Sequence, residues 1–176
     1  MKKLISIIAI LAVFTGCNLS TYTVKIPIAK LQKSVETKFP IKRKMTIGTL
    51  SLTQPKVILN EKTKKVMTKM AFSYKMPFFK TQTGSINVAG IPKYVASKSA
   101  FYLNNPSIEE LKFNNSSIGN AVSSSTKGML SSIVNEVFKN YPIYKLKDGS
   151  MKNKLLKNTI KSIGVKNDVL ELNLGI

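Results

Sequence analysis

The sequence predicts one domain of mixed α and β structure, in which sequential antiparallel strands are combined with two main helical segments. Apolar and polar residues alternate through 66–76 and 170–174, a pattern typical of half-buried strands. Through 28–39 and 118–138 the apolar residues instead recur every three or four positions, as on a helix that packs by one face. Short turns between successive strands favour an antiparallel meander. No internal repeat or linker divides the chain.

In the first half of the chain, residues 22–24 are predicted to form a brief strand. A helix is expected from Pro27 to Phe39, because Pro suits a first helical turn and Pro40 ends the apolar stripe. The alternation changes phase around Gly48, which predicts a β-bulge there. Further strands are expected up to Leu59 and over 66–76, on either side of a polar turn at 60–64.

In the second half, strands are predicted near 86–88 and 99–103. We expect Glu109 and Glu110 in a loop after Pro106. Residues 116–139 are the longest helical candidate, and Tyr141-Pro142 ends it. A strand at 143–146, a short basic helix near 151–158 and two final strands complete the prediction.

The residue inventory argues against catalysis. The chain has no His, so the commonest general base and metal ligand are missing, and no cluster of Asp, Glu or Cys has metal-ligand spacing. Ser124 and Lys127 have the S-x-x-K spacing of penicillin-recognising enzymes, but no S-D-N motif follows. We therefore expect a non-enzymatic protein with no cofactor and no metal.

The charge is strongly unbalanced, with 28 basic and 8 acidic residues and a net charge of +20. Arg43 is the only arginine, whereas nucleic-acid binders usually cluster arginines for bidentate contacts. We expect no nucleic-acid partner. Two interpretations stay open: the lysines are solvated surface residues, or they attract the protein to an anionic surface, at roughly 1 kcal/mol per Lys near a membrane.

The amino terminus has the organisation of an export signal. Lys2 and Lys3 precede an apolar run from Leu4 to Phe14, which is too short to span a membrane but typical of a secretory signal. Thr15 and Gly16 lead into the only cysteine of the chain, Cys17, as in the lipobox of bacterial lipoproteins. We expect residues 1–16 to be a signal peptide and residues 17–24 a lipidated cysteine with a short tether.

The order of motifs resembles the YceB-like family of bacterial lipoproteins, a family of unknown function. The matching features are the GCN start, the Ile28–Phe39 helix ended by Pro40, IGTLSLTQPKVIL (47–59), VAGIPKYVASKSAFYL (88–103), YPIYKL (141–146) and SIGVKNDVLELNL (162–174). The resemblance implies that residues 25–176 form one α+β domain. In it, a strongly curved antiparallel β-sheet wraps around a long α-helix of the C-terminal half, with a short N-terminal helix, as in one half of the tubular lipid-binding proteins.

These features lead to two functional hypotheses for a protein anchored in the bacterial cell envelope by acyl chains on Cys17. By resemblance to envelope lipoproteins, Asn18 after the cysteine favours the outer membrane, facing the periplasm. In the first hypothesis the protein binds a lipid-like ligand between sheet and helix, in a site lined by Met70, Phe72, Tyr74, Phe78, Phe79, Met129, Ile133 and Val137. The alternative is an interaction protein whose basic surface engages anionic lipid, lipopolysaccharide, another anionic envelope polymer or a protein partner.

Overall fold

A computed structural model describes residues 22–46, 48–114, 120–146 and 159–175 of the 176-residue chain. The strands are β1 Tyr22–Pro27, β2 Ile41–Met45, β3 Gly48–Asn60, β4 Lys65–Lys75, β5 Gln82–Val95, β6 Ala100–Phe113, β7 Tyr144–Lys145, β8 Ile160–Val165 and β9 Val169–Leu174. The helices are α1 Ile28–Glu36 and α2 Asn120–Asn140, and a 3₁₀ turn covers Ala96–Lys98. Neither α-helix of the described ranges is long and apolar enough to cross a membrane.

The predicted fold class is wrong. We expected an α+β fold in which one strongly curved sheet wraps around a long helix, but the protein is built mainly of antiparallel strands and its two helices are minor elements. The strands are also divided between two sheets. Helix α2 lies mainly against one strand, β6. The fold is therefore determined by the pairing of its strands and not by packing around a central helix.

The two sheets have different kinds of topology. Strands β2 to β7 form a six-stranded meander in chain order, in which each strand pairs antiparallel with the next. The second sheet has the order β1-β9-β8, so strands from the two ends of the described chain are neighbours. Pairing of consecutive strands closes a short loop and costs little chain entropy. The β1–β9 pairing joins residues that are remote in sequence, so its loop-closure entropy is larger.

The two sheets share one hydrophobic core. Every second side chain of their strands points into it. On β4, Val66, Met70 and Phe72 are buried, and the intervening Lys69 is exposed. On β9, Leu170 and Leu172 are fully buried. Helix α2 adds Leu130, Ile133, Val134, Val137 and Phe138 to the same cluster. These residues stabilise the fold by removing apolar surface from water, at about 25 cal/mol per Å².

Helix α1 is fastened to an irregular part of β3. The pairing of β3 with β4 shifts between Thr53 and Lys56. Strand β2 pairs with β3 only as far as Leu52, so the hydrogen-bonding groups of β3 that follow have no β2 partner. The Gln32 side chain satisfies two of them: its Nε2 donates to the Pro55 carbonyl at 2.7 Å, and its Oε1 accepts from the Val57 N–H at 2.7 Å. A side-chain amide thus replaces the missing strand partner.

Several local predictions need correction. The phase change at Gly48 is not a bulge within one strand but the turn between β2 and β3, where Gly48 adopts φ +108. The bulge lies farther on, between Thr53 and Lys56. Glu109 and Glu110 are not in a loop, since β6 continues to Phe113 and each carboxylate is paired with a lysine. The basic helix predicted at 151–158 lies outside the described residues.

Candidate functional site

The residues predicted to line an apolar site fall into two groups. On β4, Met70, Phe72 and Tyr74 are spaced by two and are all buried. Ile133 and Val137 of α2 are buried in the same cluster, and Met129 packs against it half-buried. The structure therefore brings these six residues together as part of the packed core. Their role in binding a ligand stays a prediction.

The other predicted residues are placed elsewhere. Phe78 and Phe79 lie in the turn between β4 and β5, where their relative exposures are 105% and 67%. They do not contribute to the core cluster. Cys17, the predicted lipidation site, lies outside the described residues.

The space where α2 approaches α1 and β2 is small. Val35, Phe39, Ile41, Val137 and Phe138 line a cavity of only about 10 Å³. That volume holds about one water molecule at most. An acyl chain would have to displace core side chains to enter here.

The larger concave features lie on the outside of the molecule, at the end of the β5–β6 hairpin. The first is a cleft of about 480 Å³. Its lining residues are Lys93, Val95, Lys98, Tyr102, Leu103, Asn104, Asn105, Pro106, Asn135 and Lys139. A second cleft of about 490 Å³ is lined by Ser97, Lys98, Ser99, Ala100, Tyr102, Pro142 and Lys145. Both clefts share Lys98 and Tyr102, so they adjoin, and together we call them the basic cleft.

The strand register places the first two cleft residues side by side. Lys93 of β5 is the direct antiparallel partner of Tyr102 on β6, so their side chains share one face of the sheet. The 3₁₀ turn then projects Lys98 over the same tyrosine, with its Nζ 5.5 Å from the ring centroid. Ser99 completes the reversal with a left-handed backbone, φ +50. Tyr102 therefore has one lysine as its cross-strand neighbour and the ammonium group of another over its ring.

Two other elements supply the remaining lysines. Asn135 and Lys139 are four residues apart on α2, so both side chains lie on the helix face beside the cleft. Strand β7 is held against β6 because the N–H of Ile143 donates to the Phe101 carbonyl and that of Leu146 donates to the Ser99 carbonyl. This docking brings Lys145 opposite Ala100 at the second cleft.

Several carboxylates of the protein form ion pairs with basic side chains that lie outside the basic cleft. In the described part of the chain, the ion pairs join Lys25 to Glu171, Arg43 to Glu136, Lys65 to Glu109, Lys112 to Glu110 and Lys166 to Glu61. They take up five of the eight acidic residues of the chain, and none of them includes a cleft lysine. Among the residues described as lining the basic cleft there is no Asp or Glu. Its positive charge is therefore not neutralised by a lining carboxylate.

Among the described residues, clear pKa shifts arise in two of these outlying pairs. A hydrogen bond from Lys112, followed by its charge, lowers the pKa of Glu110. A hydrogen bond to Glu61, followed by the Glu61 charge, raises the pKa of Lys166. Both shifts favour the charged form of the group, as expected for a carboxylate and a lysine that are paired.

The arrangement is suited to holding an anion with polar substituents. Each lysine offers three N–H donors, and Asn104, Asn105 and Asn135 add amide groups that donate and accept. The described residues contain no group of three or more His, Cys, Asp or Glu that could hold a metal ion. The sequence did not single out this cleft, because its lysines come from β5, the 3₁₀ turn, α2 and β7. Only the tertiary structure places them together.

Comparison with known proteins gives a family but no activity. A family model described as "Protein of unknown function (DUF1439)" matches residues 28–168, which include every element from α1 through β8. No curated protein matches the sequence.

Proposed function

The chain belongs to the DUF1439 family, whose description states no function, and from the basic cleft we propose that it is a binding protein of the bacterial envelope. Its ligand is an anionic envelope molecule that carries phosphate, such as the headgroup of an anionic lipid or of lipopolysaccharide. The observation that carries the proposal is the convergence of Lys93, Lys98, Lys139 and Lys145 on two adjoining clefts whose described lining residues include no carboxylate.

Electrostatics favour an anion at this position. A concave surface lined by charge of one sign focuses the field and raises the local concentration of counter-charged ligands. Lysine ammonium groups bind phosphate as point charges through charge-assisted hydrogen bonds. Each of the two clefts lies within the range of about 300–1,000 Å³ that is common for small-molecule sites. A phosphorylated sugar headgroup fits this size and polarity.

The amino-terminal sequence supports a location in the envelope. The lipobox-like Thr15-Gly16-Cys17 and the resemblance to YceB-like lipoproteins both favour acyl chains on Cys17. Each buried CH₂ group contributes about 0.8 kcal/mol, and more than one chain gives stable anchoring. In this proposal the domain is held at the outer membrane and faces the periplasm.

Binding of an apolar ligand between β4 and α2 remains the second candidate from the sequence. It is less well supported, because Met70, Phe72, Ile133 and Val137 are packed in the core. Native mass spectrometry of protein released from membranes without detergent tests it. A co-purifying lipid that survives high salt would favour the apolar site over the basic cleft.

Calorimetric titration of the full chain in a non-ionic detergent tests the proposed function. Glucose 6-phosphate should bind with a Kd of about 1 mM or below, equivalent to about −4 kcal/mol. Glucose, which lacks the charge, should give no measurable heat. Raising the salt from about 0.1 M to about 1 M shortens the Debye length from ~10 Å to ~3 Å, so binding should weaken. Equal binding of the two sugars, or binding insensitive to salt, would contradict the proposal.

A further inference from the structure

The turn between β4 and β5 carries the most exposed apolar side chains of the described residues. Phe78 and Phe79 are 105% and 67% exposed, whereas Phe72 and Tyr74 of β4 and Ile86 of β5, the large apolar residues of these strands nearest the turn on the core face, are buried. The two adjacent rings form a small exposed apolar patch at the end of the β4–β5 hairpin. We call residues 76–79, with the sequence MPFF, the aromatic tip.

The backbone of the tip holds an uncommon conformation. Phe78 has φ +64, in the left-handed region that a bulky side chain rarely adopts. Gly or Asn would suit that position better, yet a phenylalanine occupies it and points its ring into solvent. Core packing does not account for this choice, since the ring is fully exposed. A surface role for the ring does account for it.

Lysines surround the tip on the sheet. Lys75 and Lys80 flank it directly and are exposed. Lys44 lies in register with Thr49, which is in turn in register with Lys75, so both lysines lie on one face of neighbouring strands. Gly48 in the β2–β3 turn also lies so close to Lys75 and Met76 that a Cβ there would collide with their backbone. Within the described residues, neither Lys44, Lys75 nor Lys80 takes part in an ion pair.

From these observations we infer that the aromatic tip inserts Phe78 and Phe79 into the surface of an anionic phospholipid bilayer. The rings enter the boundary between headgroups and acyl chains, while the lysines contact the lipid phosphates. A protein partner fits less well. Two phenylalanines present about 150–250 Å² each, which is well short of the ~800 Å² per partner of a standard protein interface.

The inference goes beyond the proposed function and does not depend on the basic cleft. Lys93 is eleven residues along β5 from Gln82, the first residue after the tip in that strand. At ~3.3 Å per residue this corresponds to about 35 Å along the strand. The tip and the basic cleft are therefore separate surfaces, and membrane insertion of the tip can be tested without any ligand in the cleft.

Fluorescence tests the insertion, because the chain contains no Trp. The Phe79→Trp variant of the full chain, reconstituted into vesicles of phosphatidylcholine and phosphatidylglycerol, carries a single fluorophore at the tip. Its emission should shift to shorter wavelength and be quenched by brominated acyl chains. The matched control is Ile91→Trp, at another exposed apolar position on β5, 54% exposed and remote from the tip. It should remain unquenched.

A second variant separates membrane insertion from folding. Phe78→Asn removes one ring and places a residue that tolerates the left-handed backbone, so the fold should be at least as stable. Added to the Phe79→Trp reporter, it should reduce quenching at least twofold with no loss of thermal stability. Absence of quenching in the Phe79→Trp protein would overturn the inference. So would a dimer in detergent that dissociates on Phe78→Asn substitution, because the tip would then bind a second copy.

Discussion

Replacing Lys93, Lys98 and Lys139 together with glutamine should weaken glucose 6-phosphate binding by about tenfold to a hundredfold. The three lysines line the first cleft, and among its described lining residues there is no carboxylate to offset their charge. All three are exposed, so each is expected to contribute only about 0.5–1 kcal/mol, below the value of a buried charge-assisted hydrogen bond. Three such losses correspond to about 1.5–3 kcal/mol, and 1.4 kcal/mol is tenfold in Kd. Calorimetric titration of the variant gives the ratio directly.

The matched control changes the net charge equally without touching the cleft. Lys30, Lys33 and Lys56 are exposed and line neither cleft, so their combined replacement by glutamine removes three charges elsewhere. This control should change the Kd less than threefold, because these exposed lysines do not contact the cleft and their charges act on the ligand only through solvent that contains screening salt. If both triple variants lose the same affinity, the attraction comes from the whole protein and the cleft is not a specific site.

Replacing Phe101 with alanine should cost about 3–5 kcal/mol of the free energy of unfolding. Phe101 is fully buried. The centroid of its ring lies 4.9 Å from the ring centroid of Tyr94 and 6.2 Å from that of Tyr144. Its carbonyl accepts the hydrogen bond that docks the segment before β7. Removing the ring leaves a cavity between β5, β6 and β7, directly behind the basic cleft. Denaturant unfolding, followed by far-UV circular dichroism, measures the loss.

A smaller change at the same position serves as the control for Phe101→Ala. Phe101→Leu keeps most of the apolar volume and should cost less than about 1.5 kcal/mol, as volume-conserving swaps usually do. A loss below about 1 kcal/mol for Phe101→Ala would contradict the packing described here. It would mean that the β6–β7 edge is not the rigid back wall of the cleft.

Local periodicity was a good guide to individual strands and a poor guide to their assembly. The alternation from Val66 to Tyr74 indicates β4, because successive residues of this strand point in turn to its buried face and to its outer face. The pairing of β1 with β9 has no such signal in the sequence, because the alternation within one strand does not indicate which strand it pairs with. The division into two sheets was therefore missed, and the expected single sheet around a helix was wrong.

The candidate site was harder to predict than the strands. Apolar residues at Met70, Phe72 and Val137 were singled out because adaptable apolar side chains can line ligand sites, but the same residues also fill cores. Lys93, Lys98, Lys139 and Lys145 resemble every other lysine in a chain of net charge +20. Two things distinguish them: they converge through tertiary structure, and no carboxylate lies among the residues that line their clefts.

The most direct test of the central claim is to locate the bound phosphosugar by NMR on the full chain. Tyr102 lines both clefts, and its ring lies beneath Lys98, so its ring signals report on the site. We expect glucose 6-phosphate to shift the NMR signals of the Tyr102 ring and of the Asn104 and Asn105 amides, in a saturable way and with a single Kd. Saturable shifts confined to other surfaces, with the Tyr102 ring unchanged, would contradict it.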